Sequence, residues 1–266
     1  MTSPVPTPAQ RQAIERTTEH FRAQPDVLAL LLGGSLAHGF ATATSDVDVL
    51  IVVSDEDWAR RAAEGRTTFF TTDLCAYEGG YVDGKYVSPG FLAEVAARGS
   101  EPARFAFQDA RVLFARDETI PRLAAEIPRY PVAEKAERIA RFAAQLEAWT
   151  WYVGEAFKKG DPWLVSTAVS RVGLFAGRMV LAHNELLFPF HKWFLRVLEG
   201  AREKPPGMVE RIRALAQAPS PAEVTAFVDA VRGFRTWETG AAKWPVLFMR
   251  DTELDWMHES PAVEAI

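Results

Sequence analysis

A mixed α/β half with a mixed β-sheet, followed by an all-α helical bundle, is the fold class that this 266-residue sequence predicts, on three observations. Two largely apolar runs of strand length, Val27 to Leu32 and Val47 to Val53, the second interrupted only by Asp48, lie in the first quarter of the chain. Around residues 128–131, two prolines bracket Arg129 and Tyr130, and segments of period two cease. Beyond them Ile139, Phe142, Leu146, Trp149 and Val153 recur at alternating steps of three and four, the stripe of an amphipathic helix. Residues 1–127 are therefore taken as one domain and residues 128–266 as a second, helical one.

The elements follow in order. Thr7 is a capping residue, Pro8 suits a first helical position, and Gln10 stands three places after the cap, so a helix is expected to about Ala23. Pro25 and Asp26 break it, and Val27 to Leu32 reads as a strand buried on both faces, ending in Gly33 and Gly34. A short helical turn then closes near Gly39, and Val47 to Val53 is a second buried strand. Ser54 caps a charged helix to about Glu64. Residues 68–77 and 81–87 read as two neighbouring strands around the turn pair Gly79 and Gly80. Ser88 and Pro89 start a helix to about Ala97, and residues 111–114 offer a last strand. In the second half, the striped helix should run from about Glu134 to Gly160. Asp161 and Pro162 open another to about His183, and Ser220 to Glu223 spells a capping box for a third. No repeat of fixed period and no low-complexity segment is found.

Thirty basic against thirty-five acidic side chains give a formal charge of -5, which argues against nucleic acid as the main substrate. The uninterrupted apolar runs fall short of the roughly twenty residues of a membrane helix, so no membrane partner is expected. The N-terminus does not open like a secretory leader, which makes a cytoplasmic protein the expectation. Cys75 is the only cysteine and reads as packing rather than as a nucleophile.

The chemistry concentrates in residues 33–48. Gly33 and Gly34 let the backbone turn sharply after a buried strand and approach a ligand closely, placing Ser35 at the start of a helical turn, where a phosphate is readily held. A plain strand-to-helix connection uses the same residues. Asp46 and Asp48 are two apart in an extended stretch, so both carboxylates share a face. Two such charges at about 4 Å repel by roughly 4 kcal/mol at an effective dielectric of 20, and a hard divalent cation such as Mg²⁺ relieves this. Two solvated acids at a strand mouth are the simpler alternative.

Gly34-Ser35, ten intervening residues, then Asp46-x-Asp48 resembles the nucleotidyltransferase superfamily that includes DNA polymerase β and the aminoglycoside and lincosamide nucleotidyltransferases. The match is sharp over about sixteen residues, and the order of elements extends it over roughly the first 120. The resemblance implies a nucleotidyltransferase domain in which Ser35 holds the triphosphate and Asp46 and Asp48 bind Mg²⁺. It also implies a third carboxylate, as metal ligand or general base. Asp83 is chosen for that role, within residues 81–87, where alternation puts Lys85 on its face to meet a phosphate. Asp83 and Gly84 also fit a hairpin turn, and Glu78 and Asp73 are the fallbacks. Candidate catalytic and metal residues are thus Asp46, Asp48 and Asp83. Candidate nucleotide-binding residues are Gly33, Gly34, Ser35, Ser45, Lys85 and Lys192.

In the second half, His183-Asn184-Glu185 and His191-Lys192-Trp193 flank a helix break at Phe188-Pro189-Phe190, where Lys192 is a candidate to reach a triphosphate or else a basic residue at a helix end. Trp149 is assigned to packing, and Trp151 and Tyr152 are candidates to stack on an acceptor. By analogy with single-chain antibiotic nucleotidyltransferases, the helical half is expected to wall an acceptor site. The leading expectation is transfer of a nucleoside monophosphate from a nucleoside triphosphate, ATP first, to a hydroxyl of a small molecule, by a monomer or homodimer. A protein-modifying enzyme and an inactive nucleotide-binding module are the alternatives.

Overall fold

The computed structural model describes residues 6–258, 261–264 and 266, so the leader reading at residues 1–5 lies outside them. Contacts divide the chain into two compact units. The first runs to Gly99 and resumes over Ala103–Arg129; the second comprises Ser100–Pro102 and the chain from Tyr130 on.

The first unit contains α1 (Pro8–Arg22), β1 (Val27–Leu32), α2 (Gly34–His38), β2 (Val47–Val53), α3 (Asp55–Ala63), β3 (Thr68–Thr71), β4 (Val82–Val87) and α4 (Pro89–Arg98). After α5 (Glu101–Phe105), which straddles the division, come β5 (Arg111–Ala115) and α6 (Thr119–Glu126). Thr7 and Gln10 complete the expected capping box of α1, and Ser54 and Ser88 each cap the helix that follows.

Among the described residues the five strands form one sheet in the order β3-β4-β2-β1-β5. β2 and β4 are parallel and the other pairs antiparallel. Although β1 is antiparallel to both neighbours, it is covered on both sides, which accounts for its unbroken apolar run. On one face Leu30, Leu32, Val49 and Ile51 pack with Ala13, Ile14 and Phe21 of α1. On the other, Ala29, Leu31 and Val52 pack with Leu92 and Val95 of α4 and Ile120 of α6.

Two expectations change. Of residues 68–77 only Thr68–Thr71 is strand, because the Thr71 hydroxyl accepts from Asp73 N at 3.2 Å and Cys75 N donates to Thr72 O at 3.1 Å, turning the chain. The helices α5 and α6 were not anticipated from the pattern. Arg104 on α5 is buried and donates to the carbonyls of Ala96, Gly99 and Ile127, so a cation closes the C-terminal turns of α4 and α6.

The second unit is helical: α7 (Lys135–Lys159), α8 (Pro162–His183), α9 (Phe194–Glu199), α10 (Met208–Gln217), α11 (Pro221–Arg232) and α12 (Trp244–Phe248). Gly160 ends α7 in the left-handed region at φ 65°, and the Asp161 carboxylate accepts from Trp163 N and Leu164 N to open α8. At α11 the expected box forms in altered shape: Ser220 Oγ accepts from Glu223 N and donates to the Glu223 carboxylate.

By length and composition α8 is apolar enough to cross a membrane, which the search for uninterrupted apolar runs passed over because Arg171 and Arg178 divide the helix; 67% of that window is buried inside the protein. Arg178 is fully buried between the Phe142 and Phe188 rings, 4.4 and 4.6 Å from their centroids. Its partner is Glu101, which accepts from Arg178 Nη1 and Arg138 Nη1 at 2.7 Å each and from Phe188 N at 2.6 Å. Those bonds explain why residues 100–102 belong with the helical unit.

Candidate active site

The site lies in the first unit, where β2 and β4 begin side by side. Their register pairs Asp48 with Asp83, so the two carboxylates occupy adjacent strands at the same level. Asp83 is a strand residue, not part of an Asp-Gly turn. Gly84 sits inside that strand because its inward face has no room: a Cβ there would lie 2.9 Å from Ile51 Cδ1 and 3.2 Å from both Val49 and Phe69. The crowding on one face leaves alternation intact, and Asp83 and Lys85 share the opposite one. Lys85 is exposed two residues beyond Asp83.

Gly34, at φ 60°, occupies the left-handed region, and a Cβ there would collide with the Asp48 carboxylate. Gly33 N donates to Asp48 O at 2.9 Å. The glycine turn and the second aspartate are therefore in direct contact, although Gly34 and Asp48 are fourteen residues apart along the chain. Ser35 is buried, and its hydroxyl has no hydrogen-bond partner among the described residues. A buried unsatisfied hydroxyl costs about 1–3 kcal/mol, which a bound acceptor or donor group would recover.

Asp46 lies one residue before β2, at the end of a loop that is pinned from two sides. Gln10 of α1, itself buried, donates through Nε2 to Thr42 O at 2.8 Å and Ser45 O at 3.2 Å. Tyr77 donates its hydroxyl to Ser45 O at 2.8 Å. The Ser45 hydroxyl helps close this loop by accepting from Thr42 N at 2.8 Å. Sequence reasoning saw Gln10 only as half of a capping box and passed over Tyr77.

Tyr81, which was also missed, reports on the local charge. Its phenol is held above the ordinary range, first by the hydrogen-bonding pull of the Asp46 carboxylate and then by the charge of Asp46, by burial, and by the charges of Asp48 and Asp83. All three carboxylates thus act on one ring. Alternation across residues 81, 83 and 85 is the signal that would have found it. Burial, above all, raises the Tyr77 phenol and the Cys75 thiol, consistent with the structural reading of that cysteine.

Among the described residues no three His, Cys, Asp or Glu side chains form a ready-made metal cage. The donor set nevertheless suits Mg²⁺, which is commonly held by one or two carboxylates with substrate phosphates completing its octahedron. Gly34, having no Cβ, leaves room for the Asp48 carboxylate, and the buried Ser35 hydroxyl next in the chain has no partner among the described residues. Asp73 and Glu78 are exposed, off the strands, and take no place in the row. Lys192 belongs to the second unit, its ammonium 5.1 Å from the Trp193 ring centroid. There too, Trp149 is partly buried and donates to Gln145 Oε1 at 3.1 Å, while Trp151 is exposed.

Behind the turn, His38 of α2 is buried 4.7 Å from the Phe105 ring, with Nδ1 3.4 Å from the Asp109 carboxylate. Burial lowers its pKa, against the opposing pull of Asp109.

Comparison with known proteins now bears on the same segment. No curated protein matches the chain. Among solved structures, a nucleotidyltransferase-like protein from Exiguobacterium sibiricum 255-15 is similar at 12% identity, covering 91% of this chain and 80% of its own, with a TM-score of 0.49. Residues 12–78, which contain Gly34, Ser35, Asp46 and Asp48 but stop short of Asp83, match the family model of the nucleotidyltransferase domain.

Proposed function

We propose that the protein is a Mg²⁺-dependent nucleotidyltransferase that moves a nucleoside monophosphate from a nucleoside triphosphate, ATP first, to a hydroxyl of a small molecule. One observation carries this reading: Asp48 and Asp83 are paired in register on parallel strands, with the Gly34 turn against Asp48. The nucleotidyltransferase match over residues 12–78 supports it.

Ser35 and the backbone of the Gly33–Gly34 turn bind the β- and γ-phosphates, with Lys85 available on the same sheet face as Asp83. Asp46 and Asp48, with Asp83 beside them, would hold Mg²⁺, which neutralises triphosphate charge when bound. Asp83 takes the proton of the acceptor hydroxyl. The hydroxyl oxygen then bonds to the α-phosphorus, the bond from that phosphorus to the bridging oxygen breaks, and pyrophosphate leaves with the electron pair.

Pyrophosphate release measures the reaction. Purified protein with Mg²⁺ and each nucleoside triphosphate should release it with at least one member of a panel of aminoglycosides, lincosamides and other hydroxyl metabolites. Asp48→Asn and Asp83→Asn should each abolish it. Silence across the panel would count against a small-molecule acceptor, and failure to bind any nucleotide would sink the enzymatic reading.

A further inference from the structure

At the end where β2 and β4 begin, the sheet face that α4 and α6 cover further along carries its groups in a fixed order. Gly34 and Ser35 follow β1, Asp48 lies on β2, Asp83 on β4, and Phe70 on the edge strand β3, where its Cα is paired with that of Asp83. The glycine turn and Phe70 therefore flank the carboxylates from opposite sides. β3 divides its two phenylalanines between the faces. Phe69 packs inward, 4.9 Å from the Phe21 ring, whereas Phe70 is 67% exposed. The exposed ring has one aromatic neighbour among the described residues, Tyr81, at 5.3 Å between centroids and 35° between planes. Tyr81 stands one residue before β4, and its backbone carbonyl accepts from Val47 N at 3.0 Å, beside Asp46. Two aromatic rings thus border the carboxylate row on the side away from the glycine turn.

Displacement at phosphorus places the attacking and leaving oxygens roughly in line. With the departing pyrophosphate at Gly34 and Ser35, the attacking hydroxyl arrives from the side of β3. We propose that Phe70 and Tyr81 form a stacking platform for a flat apolar ring of the acceptor, which sets the acceptor hydroxyl against Asp83. The acceptor class is then a hydroxyl compound bearing an aromatic or similarly planar ring, rather than a polyamino sugar. The direction of attack rests on the transfer reading above; the platform itself rests on the positions of the two rings.

The test uses two probes that share their sugar hydroxyls and differ in one ring, 4-nitrophenyl β-glucoside and methyl β-glucoside, titrated against the full chain by saturation-transfer NMR. The aryl compound should bind about tenfold more tightly, the scale of one good aromatic stack. Phe70→Ala should erase that preference and Phe70→Trp should keep it; circular dichroism checks that both variants fold. With ATP and Mg²⁺, Phe70→Ala should raise KM for the aryl acceptor by a similar factor and leave kcat nearly unchanged. Equal binding of the two glucosides, or an aryl preference that survives in Phe70→Ala, overturns the platform. An amino sugar such as kanamycin turned over equally by wild type and Phe70→Ala overturns the acceptor class. Phe70-dependent aryl binding without pyrophosphate release from any nucleoside triphosphate supports the ring site and defeats the transfer reading instead.

Discussion

Glu101 in the helical unit and Asp48 in the sheet unit are both carboxylates set among other ionisable groups, yet their surroundings are opposite in sign. Glu101 meets two guanidinium groups and a backbone N–H, all within 2.7 Å, and is wholly buried. Asp48 has Asp83 as its cross-strand partner and Asp46 two residues away, at an end of the sheet where all three remain partly exposed. A cluster of opposite charges closes on itself and specifies packing. A cluster of like charges at a partly exposed end of the sheet marks a candidate site instead. The difference separates structural ions from candidate catalytic ones without appeal to sequence motifs.

The comparison can be broken at either end. The largest effect is expected at Glu101→Ala, which leaves two buried guanidinium groups facing each other; chemical denaturation should show a loss of about 3–5 kcal/mol. A loss within 1 kcal/mol or so, the range of surface ion pairs, would mean that the cluster is not what organises the helical unit. Asp48→Asn should do the reverse. It should lower pyrophosphate release at least about a hundredfold, while thermal unfolding shows stability held or raised by relief of repulsion. Gly34→Ala combines both effects. The left-handed backbone costs a non-glycine residue about 1–2 kcal/mol, the displaced Asp48 carboxylate adds to that, and equilibrium dialysis should show weakened nucleotide binding. Ser35→Ala should stabilise the apo protein by about 1 kcal/mol, by removing an unsatisfied buried hydroxyl, and weaken nucleotide binding in the same dialysis.

The smallest effect concerns pH. Burial holds the His38 pKa in the folded chain below its ordinary 6.5, so the unfolded chain binds a proton first as pH falls. That contribution to stability is complete above the unfolded pKa and is lost as pH drops through the folded one. His38→Gln should flatten the stability profile below pH 6.5 or so, and an unchanged slope would assign the acid limb elsewhere.

Much of this was legible before any coordinates. Apolar runs marked β1 and β2 to the residue, because strands covered on both faces admit little else; Asp48 alone breaks the second, at the end where the site lies. Caps at Thr7, Ser54, Ser88 and Asp161 marked helix starts, since their side chains satisfy backbone groups a few residues away. What failed depended on contacts distant in sequence. Residues 72–77 carry strand-like composition and turn instead, and Gln10 reaches more than thirty residues ahead to hold the loop before Asp46.

The glycine turn and the paired aspartates were determined by sequence alone, because close spacing constrains them: Gly33 to Ser35 turn the chain, and Asp46 and Asp48 share a face by the period of a strand. Only the tertiary structure decided the rest. It made Asp83 the cross-strand partner of Asp48, through a parallel register that joins residues thirty-five apart. It explained Gly84 by the crowding of Ile51, Val49 and Phe69 beneath it, and brought Phe70 and Tyr81 to the open side of the carboxylates. Local periodicity says which face a side chain takes. Which strand lies next to it is settled by the burial of both faces of a sheet, a property of the whole unit and of no single segment.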